Sequence, residues 1–178
     1  MSKWEIKIVG FGGQGVILAG AIIGKAAAIY DKKFAALTHS YGPEARGGSC
    51  SAQVIVSNEK ISYPYVISPD IAILMSQEAF DKYASEIKED GKLIIEKDLV
   101  NIPANFSHPI YSIPAMRMAE EMGSRIVLNL VMLGYMTAVS GAISPEAMRE
   151  SIKASVPKGT EYLNILAFDK GFEYSAEK

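Results

Sequence analysis

The sequence is poor in the side chains from which redox and metal centres are built. Cys50 is its only cysteine, and His39 and His108 are its only histidines. A lone cysteine excludes an internal disulfide, and it excludes an iron–sulfur cluster or a cysteine-ligated zinc site held by this chain alone. So few histidines make a metal centre unexpected. The formal net charge is −2, with no run of Lys and Arg, which gives no footprint for nucleic acid. Long apolar runs are also missing. Residues 126–143 are just long enough to cross a bilayer, but they include Asn129, Gly134, Thr137, Ser140 and Gly141. A buried core helix is the better reading. Met1-Ser2-Lys3 leads directly into an alternating strand, so no secretory signal is expected and the chain is read as cytoplasmic.

What is present suits a globular protein. At 178 residues and 49% hydrophobic, the chain is expected to form a single domain over residues 1–178. Short apolar strands alternate with helical segments. Residues 4–9, 33–38, 71–75, 92–96 and 111–113 read as strands, and residues 16–30, 79–87, 114–122 and 160–169 as helices. Ser76 and Ser144 are expected N-caps, with Pro145 at the first helical position. The last helix is expected to end before Gly171. Residues 49–56 alternate small polar with apolar side chains, and Ile61-Ser62-Tyr63 is expected to pair back on them as a hairpin. These patterns predict an α/β fold: a mostly parallel open sheet flanked by helices, with residues 49–63 as an antiparallel hairpin insertion.

Two glycine-rich segments carry the chemical signal. The first runs Gly10-Phe11-Gly12-Gly13-Gln14-Gly15, between an apolar strand and an apolar helix. Gly10, Gly12 and Gly15 fit G-x-G-x-x-G spacing, and Gly13 adds a fourth glycine. Such a turn brings backbone N–H groups close to a ligand, and the positive end of the following helix favours an anion, usually a phosphate. The competing reading is a tight strand-to-helix crossover with no ligand. A dinucleotide site would want an acid at the end of the second strand, to hold the ribose. Asp31 lies before that strand, and His39-Ser40 follow it. The motif therefore reads as a general phosphate grip rather than an NAD or FAD site.

The second segment runs Ser40-Tyr41-Gly42-Pro43-Glu44-Ala45-Arg46-Gly47-Gly48. It leaves the same end of the sheet as the glycine turn. Arg46 among glycines suits a bidentate clamp on phosphate or carboxylate. A solvated Glu44–Arg46 pair is the plainer alternative. His39 has no nucleophile and acid at motif spacing, so no catalytic triad is drawn from it and no catalytic residue is expected in this chain.

Residues 10–16 and 40–48 together resemble the gamma subunit, or gamma domain, of 2-oxoacid:ferredoxin oxidoreductases. The likeness continues through Pro69-Asp70, through Ser76-Gln77-Glu78-Ala79, and through Asn129 to Gly134, and so covers nearly the whole chain. The Glu-Ala-Arg form of the second segment looks most like the 2-oxoglutarate type, with the pyruvate type beside it. A subunit of indolepyruvate ferredoxin oxidoreductase is similar over the same region, and a purely structural subunit with an empty turn is the third reading.

The resemblance implies an enzyme that converts a 2-oxoacid, coenzyme A and oxidised ferredoxin to an acyl-CoA, carbon dioxide and reduced ferredoxin. It implies thiamine diphosphate, magnesium and iron–sulfur clusters in partner subunits only, because this chain has neither the cysteines nor a Gly-Asp-Gly motif to hold them. The expected partners are the alpha and beta subunits, with a delta subunit as a further candidate, and ferredoxin as the complex's acceptor. No membrane or nucleic-acid partner is expected. The resemblance also implies that this chain binds coenzyme A as a substrate. Gly10, Gly12, Gly13, Gln14, Gly15 and Arg46 are the expected contacts. Tyr41, Gly42, Pro43 and Glu44 are expected at the subunit interface. The isolated chain is expected to self-associate through apolar surfaces meant for partners.

Overall fold

The computed structural model describes residues 3–41 and 48–175. Its centre is a sheet of six strands in the order β2-β3-β1-β4-β5-β6. These are β1 (Lys3–Phe11), β2 (Phe34–Tyr41), β3 (Ser49–Ser57), β4 (Ile71–Leu74), β5 (Lys92–Glu96) and β6 (Ile110–Ile113). β1, β4, β5 and β6 run parallel. β3 lies antiparallel between β1 and β2, with Gly10 opposite Cys50 and Tyr41 opposite Cys50 on the other side. The antiparallel element is therefore real, but its partners differ from the expected ones. Ile61-Ser62-Tyr63 forms no strand. β3 instead fills the slot between β1 and β2, where its small and branched residues Cys50, Ala52, Val54 and Val56 pack under the first helix.

Among the described residues, six α-helices flank the sheet: α1 (Val16–Lys25), α2 (Gln77–Tyr83), α3 (Ala115–Glu121), α4 (Leu128–Ser140), α5 (Pro145–Lys153) and α6 (Glu161–Tyr174). The two faces are unequal because period-2 alternation sorts the strand side chains. Ile6, Ile8, Ile71, Ile73 and Ile94 join the large cluster under α1, α3 and α4, which α5 and α6 cover as a second layer. Val9, Ala72, Leu74, Leu93 and Ile95 face the other way, toward Ala79 and Phe80 of α2. β4 is buried on both sides, which explains its unbroken apolar run.

The first long helix is not uniform. Its last turn, Ala26–Tyr30, widens to π-helical bonding. Asp31 just beyond it accepts from the Ser144 amide at 2.9 Å and the Ser144 hydroxyl at 2.6 Å. The one acid near the expected ribose position is thus committed to joining this helix to the start of α5. Ser76 and Ser144 cap α2 and α5 as expected, accepting from Ala79 and Ala147.

The last helix does not stop before Gly171 but continues to Tyr174. Its glycine answers to packing, not to termination. A Cβ on Gly171 would stand 2.8 Å from the Val131 carbonyl carbon and closer still to its oxygen. A Cβ on Gly134 would likewise stand 2.8 Å from the Phe172 nitrogen and overlap the Phe168 carbonyl oxygen. The two glycines let α4 and α6 cross backbone against backbone. Among the described residues no helix is long and apolar enough to cross a membrane.

Gly134→Ala and Gly171→Ala should each destabilise the chain by about 1–3 kcal/mol or more, because backbone cannot yield as a side chain can. Gly24→Ala, where nothing lies within 4 Å of the added carbon, should instead stabilise by about 0.5–1 kcal/mol. Thermal and chemical denaturation of the three variants checks both signs.

Candidate functional site

The helices after β1 and β4 leave for opposite faces, α1 toward the large cluster and α2 toward the small one. β1 and β4 are neighbours, so their carboxyl ends border the crevice where open α/β sheets bind ligands. The glycine turn occupies that position. Gly12 and Gly13 are exposed there, and nothing lies within 4 Å of a Cβ built on Gly13. Gly13 and Gly15 have φ of 96° and 71°, the left-handed region that glycine enters without strain. Gly15 is the N-cap of α1 and brings no side chain to close off its first N–H groups. An open approach, an uncapped ten-residue helix and a crevice therefore coincide.

Two amide side chains hold the turn. Gln14 accepts from the Phe11 amide at 2.7 Å and donates to the Met75 carbonyl at 3.0 Å, joining the ends of β1 and β4. Both ends of its amide are engaged internally. Asn129 of α4 donates to the Gly15 carbonyl at 3.2 Å. The glycines differ accordingly. A Cβ on Gly10 would crowd Val16 at 3.2 Å and Met75 at 3.3 Å as well as the Gln14 amide, and one on Gly15 would meet the Asn129 Cγ at 2.8 Å. Gly10 and Gly15 make room for the clamp, whereas Gly13 faces open space.

The second segment ends beside this turn. The Gly12 amide donates to the Gly48 carbonyl at 3.0 Å. Tyr41, the last residue of β2, is 66% exposed and meets His39 edge to face. Gly42, Pro43, Glu44 and Arg46 lie outside the described residues. Cys50 is buried, and burial raises its thiol above the ordinary 9.0, so it is a neutral packing group rather than a nucleophile.

Residues 5–174 match the family model described as pyruvate ferredoxin/flavodoxin oxidoreductase. The chain belongs to that family. It is 50% identical over 176 residues to the 2-oxoglutarate synthase subunit KorC of Methanocaldococcus jannaschii, covering 97% of this chain and 94% of that one. Its fold matches the gamma subunit of a keto/oxoacid ferredoxin oxidoreductase from Geobacter sulfurreducens, with TM-score 0.87 and 39% identity over 98% of this chain and 99% of that one. It also matches 32% of a longer chain in the 2-oxoglutarate:ferredoxin oxidoreductase of Magnetococcus marinus, a structure described with 2-oxoglutarate, coenzyme A and succinyl-CoA bound. There all of this chain is covered, with TM-score 0.89 and 23% identity, a likeness of fold. The resemblance to the gamma subunit is thus shown, and the homologues are subunits of a 2-oxoacid:ferredoxin oxidoreductase.

Sequence reasoning about this gamma-type chain missed two things. The clamp by Asn129 joins residues 114 positions apart, and only the fold brings them together. Its signal was a lone asparagine in an apolar helix. Glu96, at the carboxyl end of β5, was read only as a strand residue. It is fully buried and accepts from the Leu99 amide at 2.6 Å and the Met116 amide at 3.0 Å, tying the strand end to α3. Burial pushes its carboxyl above the ordinary 4.5, opposed by those two donors.

A raised folded-state pKa means that Glu96 contributes its full stability below 4.5 and loses it as pH rises through the folded value. Glu96→Gln stays neutral throughout. The stability of the parent relative to Glu96→Gln should therefore fall as pH rises from about 4 to about 7. Denaturant titrations of both proteins across that interval measure it, and a flat difference would contradict the assignment.

Proposed function

We propose that this chain is the gamma subunit of a 2-oxoglutarate:ferredoxin oxidoreductase and supplies part of its coenzyme A site at the glycine turn. The observation that carries the substrate assignment is the whole-length, 50% identity to a 2-oxoglutarate synthase subunit. In this reading the complex forms succinyl-CoA and carbon dioxide and passes electrons to ferredoxin. Thiamine diphosphate with its magnesium, and the iron–sulfur clusters, belong to partner subunits. A chain whose only cysteine is buried has no ligand set for a cluster.

Coenzyme A fits the chemistry of the turn. Its phosphates are anions without a requirement for a ribose-binding acid, and Asp31 is occupied elsewhere. Gly12 and Gly13 let the diphosphate approach backbone N–H groups at the start of α1. The edge of the sheet supports a subunit role. β2 is an eight-residue edge strand without a charged residue or proline, and Phe34, Leu37 and Tyr41 are exposed along it. The opposite edge, β6, has four residues and lies between Pro109 and Pro114. Edges left long and uncharged are normally covered. Tyr41 and the segment Gly42-Pro43-Glu44-Ala45-Arg46 that follows it in sequence would face the alpha or beta subunit.

In the assembled enzyme, Gly12→Val should raise KM for coenzyme A while leaving KM for the 2-oxoacid near its parent value. Steady-state kinetics at limiting coenzyme A decides, and parent-like KM in this variant would leave the turn without a ligand. Gly13 and Gly15 are the wrong choices for this test, because φ of 96° and 71° strains any side chain and a Cβ on Gly15 also strikes Asn129.

Arg46→Ala should leave the fold stable and weaken either assembly or coenzyme A use, by about 1–3 kcal/mol for a charge-assisted contact. Sedimentation of the complex and coenzyme A titration separate the two. Normal behaviour in both would reduce this segment to a connector.

A further inference from the structure

The amide of Asn129 is an expensive choice for its position. Every residue of α4 from Leu128 to Thr137 is buried, and Asn129 itself is 1% exposed. Its Nδ2 donates to the Gly15 carbonyl at 3.2 Å, while its Oδ1 is buried with no hydrogen-bond partner. Turning the amide over would set Oδ1 against the Gly15 oxygen, acceptor against acceptor, so the orientation is fixed. A buried acceptor without a donor costs stability. Leucine has the same branching and number of side-chain heavy atoms, with bulkier methyl groups, and would leave no orphan there. Packing alone therefore does not select asparagine at this position.

What asparagine adds is a hold on one peptide. The Gly15 carbonyl receives the Ala19 amide at 2.9 Å as the first bond of α1, and the Asn129 amide as a second. With φ at 71°, Gly15 depends on such outside contacts to set its peptide plane. Gln14 fixes the other side of the turn to β4 through Met75. Gln14 thus anchors the turn to the sheet and Asn129 anchors it to the core helix.

We infer that Asn129 is a positioning residue: through the Gly15 carbonyl it aims the first N–H groups of α1 at the coenzyme A phosphates, without touching the ligand itself. This inference rests on the glycine turn being the coenzyme A site. Preorganised donors bind an anion better than donors that must first be ordered, so loss of the amide acts on binding rather than turnover.

The test compares Asn129→Leu, Asn129→Ala and Gly12→Val in the assembled enzyme. Asn129→Leu should fold and assemble normally. Its KM for coenzyme A should rise roughly five- to tenfold, with kcat at saturating coenzyme A and KM for the 2-oxoacid unchanged. Parent-like KM for coenzyme A in Asn129→Leu, with KM raised in Gly12→Val, would overturn the positioning role and leave the site intact. Parent-like KM in all three would overturn the site, and the inference with it. A lowered kcat, or failure of both Asn129 variants to fold, would also overturn the inference, because the amide would then serve the core and not the turn.

Discussion

The Gln14 side chain joins two strand ends at the place where the sheet divides its helices. It accepts from Phe11 at the end of β1 and donates to Met75 at the end of β4. Much depends on this bridge. α1 must start where β1 stops and swing to one face, while α2 starts beside it and swings to the other. The crevice exists because the helices part there, and the bridge keeps its two walls in register. Gly10 is part of the same device, since any side chain at that position would displace the glutamine amide.

The second constraint is closeness. α4 and α6 meet through Gly134 and Gly171, each lying where the other helix's backbone leaves no room for a Cβ. That contact seats α4 deep in the molecule and delivers Asn129 to the glycine turn. A core helix packed at ordinary side-chain distance would stand farther from α6. The turn is therefore held from below by elements that come late in the chain, and its shape depends on the packing of α4 against α6. The same fold stands as a chain of its own in the Geobacter gamma subunit and as about a third of a longer chain in the Magnetococcus enzyme.

Much of the fold was legible because local physics decided it. The strand Lys92–Glu96 and the capped start of α5 at Ser144-Pro145 follow directly from apolar runs, turn residues and cap chemistry. The same reasoning failed where distant contacts overrode it. Gly171 carries a stop signal in sequence, yet the helix runs through it because the glycine is needed for approach. Ile61-Ser62-Tyr63 looked like a returning strand, but β1 and β2 already pair with both edges of β3. Gln14 was recognised as part of the motif, while its commitment to Met75 depends on strand order.

The sequence by itself determined the chemistry that this chain can and cannot carry. One cysteine and two histidines rule out a self-contained metal–sulfur centre, and the four glycines between a strand and a helix specify a bare turn at a helix start. These are properties of residue type and short spacing, which composition and local pattern already contain. Tertiary structure decided which glycines serve packing and which face open space, and it decided that Asp31 binds Ser144 rather than a ligand. It also placed Asn129 under Gly15 and β3 between β1 and β2. The physical reason is the same in each case. These outcomes depend on contacts between residues tens of positions apart, whose energies exist only once the chain has closed on itself.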